Sequence, residues 1–443
     1  MDEKASLSKR GQQVANTVLR VDMKLYEAAQ NDLYHATDNP GGALPLNMAE
    51  NKLSWPFLKS KMEALTRQHP IPNWVSNYTS CLGSPDFRAA LAHFISQFLC
   101  KCPIEAQTLG VAAGATAIVE ISSWILGDSR DVAVFPAPCY PVYKQDIGNK
   151  SQMERYDLIT HRELHEIYHE PALRICHLEQ AKADIEKQGK RFRLLVITNP
   201  DNPTGGLYDH QIIEEIADWC VQHQIHLVVN EIYGLSIINT KHPIITEDYP
   251  QQRTFQSFAQ LMSKRKSEYL HLWYALSKDL GASGFRVGVL HSHNAPFLQA
   301  FNNLSAPHLA SNYTQWLFQL VLEDAEFMTN YIRKNQELLT NSYAVVVKYL
   351  KAMQVPYAPS RGSLFVWIDL SEFLSAPSAA AESQLWMELY EQTKILLTPS
   401  DGFGHAKKGQ YRLVFPGISK ANLEEAMKRL ASFVTSKREK VQA

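Results

Sequence analysis

The 443-residue sequence has no apolar run long enough for a membrane-spanning helix and no marked excess of charge of either sign. A spanning helix needs about 20 apolar residues, and 44 basic against 45 acidic residues leave a net charge of −1. Such a balance offers no field that would attract nucleic acid or an anionic membrane surface. The N-terminal residues also lack the apolar stretch of a secretion signal. We therefore expect a cytoplasmic protein that binds neither nucleic acid nor a membrane.

Cysteine is scarce, with six residues scattered between Cys81 and Cys220. Disulfide scaffolds are small, secreted and dense in cysteine, so reduced thiols are expected here. The pair Cys100 and Cys102 resembles half of a metal-binding pattern, but no second Cys or His pair follows at ligand spacing. Neither a disulfide framework nor a metal site is predicted.

The middle of the chain alternates short apolar runs with segments of helical periodicity. Runs that begin at residues 109, 131, 193 and 225 are rich in β-branched residues and end in polar residues, glycine or proline. Runs without alternation are typical of parallel strands buried on both faces, and helices between them indicate an α/β protein. In such a sheet the site forms beyond the carboxyl ends of the strands.

Apolar periodicity predicts helices over residues 11–33, 56–67, 85–99, 210–222, 304–324, 327–353 and 420–436. After about Asn302 long amphipathic helices dominate, with two short strands among them. This change of character indicates a smaller α+β domain, to which the N-terminal segment returns. We assign residues 1–60 to an N-terminal arm and part of the small domain, 61–315 to a large cofactor-binding domain and 316–443 to the C-terminal small domain.

The most informative stretch runs from Trp273 to Gly288 and carries Lys278 at the end of an apolar strand. Desolvation disfavours the charged form of an amine, and the neutral form is the nucleophile that Schiff-base chemistry needs. Ser277 and Arg286 flank the lysine with a hydroxyl and a planar set of donors suited to a phosphate. A lysine on a surface turn is the alternative, but the glycines placed around Arg286 disfavour it. We predict that Lys278 is the covalent anchor of pyridoxal 5′-phosphate (PLP).

Seven ordered motifs resemble those of fold-type I PLP enzymes in the class I/II aminotransferase family, within the 1-aminocyclopropane-1-carboxylate (ACC) synthase-like branch. They are DNPGG at 38–42, MAEN at 48–51, AGATA at 113–117, PAPCYP at 136–141, NPDNPTG at 199–205, SKDLG at 277–281 and GSLFVWID at 362–369. The resemblance runs from about Tyr26 to the C-terminal helix. It implies a large domain on a mostly parallel seven-stranded sheet, a smaller α+β domain, an amino-acid substrate and a homodimer.

The resemblance also implies how the cofactor is held. The backbone N–H groups of Ala115 and Thr116 would meet the phosphate at a helix N-terminus, where the dipole favours an anion. Tyr140 would stack on the pyridine ring, although a packed core tyrosine is the alternative. Asn202 and Tyr233 would hydrogen-bond the phenolic oxygen of the ring.

Four further residues receive catalytic or binding roles by the same resemblance. Lys278 would move the Cα proton, and Arg286 would hold the phosphate. Arg412 would clamp the substrate α-carboxylate through two hydrogen bonds, with an ion-paired arginine of an edge strand as the alternative. Glu50 matches a glutamate near the substrate, and a surface or capping glutamate is the alternative there.

Three positions depart from the family pattern. Asn230 stands where the family has an aspartate opposite the pyridine nitrogen, and an amide stabilises the protonated ring much less than a carboxylate does. Ala275 replaces a phosphate-binding serine. Cys81 replaces a tyrosine that reaches the cofactor of a neighbouring subunit, and Tyr78 is the nearby candidate substitute. These departures argue against authentic cyclopropane formation.

Three activities remain open. The first is aminotransferase chemistry, which the family's usual reaction favours. The second is elimination of a β- or γ-leaving group, as in carbon–sulfur lyases of specialised metabolism; we lean towards it, because the weaker electron sink at Asn230 favours loss of a leaving group. The third is a pseudoenzyme that keeps the fold as a scaffold, against which the retained Lys278 and Arg412 argue.

Overall fold

The computed structural model of the chain describes residues 6–160, 164 and 173–442. We number its strands in chain order as β1 (Leu44–Pro45), β2 (Leu109–Ala112), β3 (Val132–Ala137), β4 (Glu154–Ile159), β5 (Phe192–Thr198), β6 (His226–Asn230), β7 (Leu270–Ala275), β8 (Gly288–Ser292), β9 (Tyr357–Ala358), β10 (Phe365–Asp369), β11 (Ile395–Leu396), β12 (Thr398–Pro399) and β13 (Gln410–Val414). The α-helices are α1 (Lys9–Ala15), α2 (Met23–Gln30), α3 (Trp55–Gln68), α4 (Pro85–Phe94), α5 (Ala115–Leu126), α6 (Tyr143–Gly148), α7 (Ile175–Lys187), α8 (His210–Gln222), α9 (Ala259–Arg265), α10 (Leu276–Asp279), α11 (Ala295–Leu304), α12 (Asn312–Glu323), α13 (Ala325–Met353), α14 (Ala379–Thr393) and α15 (Lys420–Gln442). Across the described ranges, none of the helices combines the length and the apolarity needed to cross a membrane.

The larger sheet has seven strands in the order β2-β8-β7-β6-β5-β3-β4. The pairs from β7 to β4 are parallel, whereas β8 runs antiparallel to both of its neighbours, β7 and β2. The predicted α/β fold with a mostly parallel seven-stranded sheet is thereby confirmed. Both faces of the sheet are buried, because Leu195 and Ile197 of β5 belong to one apolar cluster and Leu194 and Val196 to another. Burial on both faces explains why these strands show no apolar–polar alternation.

The smaller sheet is antiparallel, with the order β12-β13-β10-β9. A separate apolar cluster joins it to α13 through Leu350 and to α15 through Leu430. Strand β1 pairs in parallel with β11, with Leu44 opposite Ile395. This pairing holds the N-terminal segment against the C-terminal part of the chain, a contact that the domain assignment requires; the domain boundaries themselves stay predictions.

The single helix predicted over residues 11–33 is wrong, because the chain forms two shorter helices there, α1 and α2. Between them lies Asp22, whose fully buried carboxylate accepts a hydrogen bond from Nε of Arg20 at 2.9 Å and one from Nδ2 of Asn47 at 2.7 Å. These bonds stabilise a non-helical segment that apolar periodicity alone cannot reveal. The helix predicted over 304–324 begins later than predicted, because α11 ends at Leu304 and α12 begins only at Asn312.

Strand β4 and helix α14 were not predicted from the sequence. Strand β4 lies at the edge of the large sheet, and four of its six residues are half-buried. Its sequence therefore carries charged side chains that hide the strand pattern.

Candidate active site

A cavity of about 220 Å³ lies where the carboxyl ends of β5, β6 and β7 approach the beginning of α5 and the middle of β13. Every residue that the sequence analysis assigned to a site lines this cavity, namely Glu50, Ala115, Thr116, Tyr140, Asn202, Asn230, Tyr233, Ser277, Lys278, Arg286 and Arg412. The fold thus brings together side chains from position 50 to position 412 of the chain. Neither Cys81 nor Tyr78 is among the described residues that line the cavity, and Tyr78 is 98% exposed.

Lys278 lies on the one-turn helix α10, directly after β7. Its Nζ donates a hydrogen bond to the carbonyl oxygen of Ala49 at 2.6 Å. Desolvation lowers the pKa of Lys278 to about 8, with the carboxylate of Glu50 opposing the shift and the guanidinium of Arg412 reinforcing it. The amine therefore has a sizeable neutral fraction near physiological pH, as a nucleophile or a base requires.

The neighbouring carboxylate of Asp279 fixes the orientation of α10. It accepts hydrogen bonds from the backbone N–H of Leu235 at 2.9 Å, from the hydroxyl of Ser236 at 2.7 Å and from the hydroxyl of Tyr274 at 3.1 Å. Because Asp279 is itself 1% exposed, these bonds form in a medium where they are strong. They leave Lys278 little freedom to turn away from the cavity.

One end of the cavity is a cradle suited to an anion. Gly114 precedes α5 with φ +92°, and a Cβ added there would come within 2.4 Å of Nη2 of Arg286. The first N–H groups of α5, at Ala115 and Thr116, have no partner inside the helix and present its positive end. The guanidinium of Arg286 and the hydroxyl of Ser283 line the same cavity. Glycine at this position therefore keeps the guanidinium close to the helix terminus.

Arg412 is the most deeply buried cation of the cavity, at 1% exposure on β13. Its Nη1 donates to Oδ1 of Asn202 at 3.0 Å and its Nη2 to the carbonyl oxygen of Asn47 at 2.8 Å, while its Cζ lies 4.5 Å from the ring centroid of Phe365. Burial lowers the pKa of Arg412 to about 10, which leaves it charged at neutral pH. Its Nε is buried without a hydrogen-bond partner among the described residues.

The amide of Asn230 is held at the end of β6. Its Nδ2 donates to the hydroxyl of Tyr143 at 2.9 Å, and its Oδ1 accepts from the backbone N–H of Ile232 at 3.2 Å. The ring of Tyr140 meets that of Tyr143 edge-on, with centroids 5.3 Å apart. Helix α6 and the turn after β6 therefore both hold the amide of Asn230 and fix its orientation.

Glu50 lines the cavity but is not enclosed by it. Its carboxylate keeps 36% of its exposure and pairs with Nζ of Lys52 at 3.1 Å. The position is compatible both with a substrate contact and with the surface role that the sequence left open.

Five polar residues that line the cavity were not predicted from the sequence, namely Arg20, Tyr143, Asp146, Thr198 and Ser283. Tyr143 and Asp146 follow the PAPCYP motif by two and five residues, at a spacing of three that puts them on one side of a helix. That spacing is the signal that could have found them. Arg20 could not have been found in this way, because it belongs to the segment that was predicted as helix.

Fold and cavity together define a fold-type I architecture with a lysine, an anion cradle and a buried arginine around one cavity. The chain belongs to the family described as aminotransferase class I and II, whose model matches residues 45–430. It is 28% identical to the 1-aminocyclopropane-1-carboxylate synthase CMW33 of Cucurbita maxima, over 92% of this chain and 82% of that protein. It is also 28% identical to the mouse (Mus musculus) protein described as probable inactive 1-aminocyclopropane-1-carboxylate synthase-like protein 2, over 96% of this chain and 71% of that protein. Among solved structures, aspartate aminotransferase from Thermus thermophilus with maleate shares the fold with a TM-score of 0.77 at 18% identity, over 96% of this chain and 99% of that chain.

Family membership makes this chain a PLP-dependent enzyme whose cofactor is bound through a lysine. The residues present fit that cofactor. Lys278 is the lysine that lines the cavity, the cradle at Gly114 suits a phosphate, and the unpartnered Nε–H of Arg412 suits a carboxylate.

Proposed function

We propose that the enzyme acts at Cα of an α-amino acid or an amino-acid conjugate and favours α,β- or γ-elimination, of the carbon–sulfur lyase type, over transamination. The choice of an α-amino acid as the substrate rests on one observation. The desolvated amine of Lys278 and the buried Nε–H of Arg412, which has no partner among the described residues, line the same cavity. An α-carboxylate would satisfy Arg412 with charge-assisted hydrogen bonds. An amino acid held in this way exposes its Cα proton to Lys278.

PLP supplies an electron sink for the negative charge that remains at Cα when its proton is removed. Lys278 would hold the cofactor covalently and move the Cα proton. The other proposed roles follow the family resemblance, with Ala115, Thr116, Ser277 and Arg286 at the phosphate, Tyr140 stacked on the ring, Asn202 and Tyr233 at its phenolic oxygen, and Glu50 beside the substrate.

The preference for elimination follows from the amide at position 230. The Nδ2 of Asn230 donates a hydrogen bond to Tyr143, and its Oδ1 accepts one from the backbone N–H of Ile232. An amide carries no charge that could stabilise a protonated pyridine nitrogen. Without a carboxylate in direct contact with the ring nitrogen, the sink is weaker than in the family pattern. A weaker sink favours departure of a leaving group, because elimination removes the negative charge from Cα without storing it in the ring. We assign such a lyase to specialised metabolism on the same resemblance.

The test is an assay of purified enzyme and PLP with a panel of amino acids and S-conjugates, with and without an added keto-acid acceptor. Keto acid and ammonia formed without an acceptor support elimination. Strict dependence on the acceptor would show an aminotransferase instead. A failure of every substrate to lose its Cα proton into deuterated water, despite bound PLP, would indicate a pseudoenzyme.

We also propose that the enzyme works as a homodimer, with a second copy covering the 70–83 segment. This segment exposes Ile71 at 60% and Tyr78 at 98%. Asn312 anchors the segment by accepting a hydrogen bond from the hydroxyl of Thr79 at 2.9 Å and donating one to the carbonyl oxygen of Asn77. Exposed apolar side chains on an ordered segment are typical of contact surfaces. Sedimentation at micromolar concentration should give a dimer; a fully active monomer would refute the proposal.

A further inference from the structure

Helix α6 presents to the cavity an acidic side chain that none of the roles above uses. Asp146 is 8% exposed and lines the cavity together with Asn230 and Tyr143. Its carboxylate has no hydrogen-bond or salt-bridge partner within the described part of the chain. A buried carboxylate normally has one, so its exposure to a cavity indicates a partner that binds there.

Asp146 lies one helical turn from Tyr143, a residue that contacts Asn230. Tyr143 and Asp146 are three residues apart on α6 and therefore share one side of that helix. The hydroxyl of Tyr143 contacts Nδ2 of Asn230 at 2.9 Å and the hydroxyl of Thr198 at 3.3 Å. The side of α6 that carries Asp146 is thus bonded directly to the ends of β5 and β6.

The charges around Asp146 do not supply the missing partner. Burial, together with the nearby carboxylate of Glu120 on α5, raises the pKa of Asp146 to about 7. Glu120 is itself paired, with Lys150 at 2.7 Å and with His308 at 3.1 Å. On the β4 side, the guanidinium of Arg155 is paired with Asp157 at 2.7 Å.

We propose that Asp146 supplies, from beyond Asn230, a negative charge that helps to keep the pyridine nitrogen of bound PLP protonated, and that it compensates only in part for the absence at position 230 of a carboxylate in direct contact with that nitrogen. The proposal rests on the cofactor orientation of the proposed function, in which Asn230 faces the ring nitrogen. A cation at that nitrogen would be the partner that the Asp146 carboxylate lacks, and it would favour the ionised form of that carboxylate. Asp146 holds the ring nitrogen in its protonated state and takes no part in moving the Cα proton.

The protonation of the ring is measured by ¹⁵N NMR of the holoenzyme loaded with PLP labelled at the pyridine nitrogen. At pH 7.5 the wild-type enzyme should show the chemical shift of a protonated pyridine. In Asp146→Asn the ratio of protonated to neutral ring should fall roughly tenfold, because loss of a neighbouring charge shifts a pKa by about one unit or more. The equilibrium dissociation constant of PLP, measured in parallel, shows whether the variant still binds the cofactor.

Two further variants separate this role from a structural one. Glu120→Gln removes the same charge from the adjacent helix, at a residue that does not line the cavity, and should leave the ring protonated. Asp146→Asn combined with Asn230→Asp should restore the protonated signal, because the carboxylate returns to the end of β6. Circular dichroism checks that each variant is folded.

A neutral ring in the wild-type enzyme would overturn the proposal without any variant, and so would an unchanged ¹⁵N shift in folded Asp146→Asn. If Asp146→Asn does not fold, Asp146→Ser serves in its place. The reaction type is decided separately by the acceptor assay. An enzyme that only transaminates would refute the elimination proposal and leave the ¹⁵N result intact.

Discussion

The side-chain amide of Asn230 donates a hydrogen bond to the hydroxyl of Tyr143 at 2.9 Å, which joins the end of β6 to helix α6. The resemblance to the family implies a carboxylate at position 230, where this chain has an amide bonded to a phenol.

Asn230→Asp should shift the enzyme towards transamination. A carboxylate at position 230 would contact the ring nitrogen directly and add to the charge of Asp146, and one pKa unit, about 1.4 kcal/mol, changes the ratio of protonated to neutral ring tenfold. In single turnovers the ratio of pyridoxamine phosphate to released keto acid should rise several-fold. Asn330→Asp, on the exposed side of α13, is the matched control and should leave the ratio as in wild type. An unchanged ratio in Asn230→Asp would contradict the role given to this amide.

Lys278→Ala should abolish turnover and leave PLP bound without a covalent bond. The base is removed, which costs roughly 10²–10⁴-fold for proton transfer alone, whereas the phosphate cradle at Gly114 and Arg286 does not use the amine. Borohydride should fix PLP to the wild-type chain but not to the variant, and equilibrium dialysis should still show binding. Turnover at the wild-type rate would disprove the central assignment.

Covalent capture of PLP by the apoenzyme should speed up with pH, reach half of its maximal rate near pH 8 and level off above that pH. Capture needs the neutral amine, and burial lowers the pKa of Lys278 to about 8, so the neutral form dominates above that pH and is lost below it. An ordinary lysine, with a pKa of about 10.4, would continue to gain rate beyond pH 10. Stopped-flow absorbance with Nα-acetyl-lysine as the reference amine makes the comparison. A curve for the enzyme that coincides with the reference would show that the amine is not perturbed.

Arg412→Lys should raise KM for the amino acid. Lysine cannot present two parallel donors to a carboxylate, and loss of a hydrogen bond between charged groups costs about 1.5–3 kcal/mol, or roughly tenfold to hundredfold in kcat/KM. Arg333→Lys, at an exposed site on α13, controls for the substitution itself. Steady-state kinetics on both variants settles the matter; equal kcat/KM values for Arg412→Lys and wild type would exclude a carboxylate contact.

Gly114→Ala should weaken PLP binding at least tenfold. The position has φ +92°, and the added methyl would approach Nη2 of Arg286 to 2.4 Å, so the backbone is strained by about 1–3 kcal/mol or the guanidinium is displaced from the cradle. Gly41→Ala is the control, because a Cβ there meets nothing within 4 Å. Fluorescence titration with PLP measures both affinities. Equal affinity in the two variants would show that the cradle does not hold the phosphate.

Much of the fold was predictable because its signals are local. Strand β5 and helix α8 carry continuous patterns of apolar residues, and the lysine, the glycines and the arginine around α10 follow one another within a few positions. The motifs PAPCYP, NPDNPTG and SKDLG lie at the ends of the buried strands β3, β5 and β7, and parallel strands place their carboxyl ends at one edge of the sheet. The convergence of the predicted site residues on one cavity follows from that geometry.

Other features depend on contacts between distant parts of the chain. The break before Met23 requires the bonds of Asp22 to Arg20 and Asn47, and β4 is visible only as the edge of a folded sheet. The unpartnered Nε–H of Arg412 is a property of its buried surroundings, not of its sequence neighbours.

The amino-acid sequence by itself determined the α/β class, the family and the candidate anchor Lys278, because these rest on motifs of adjacent residues. Only the tertiary structure decided that Asp146 lines the same cavity as Asn230, since that placement depends on how α6 packs against the ends of β5 and β6. Side-chain direction, burial and charge at a site are set by packing across the whole chain, and sequence spacing alone cannot determine them.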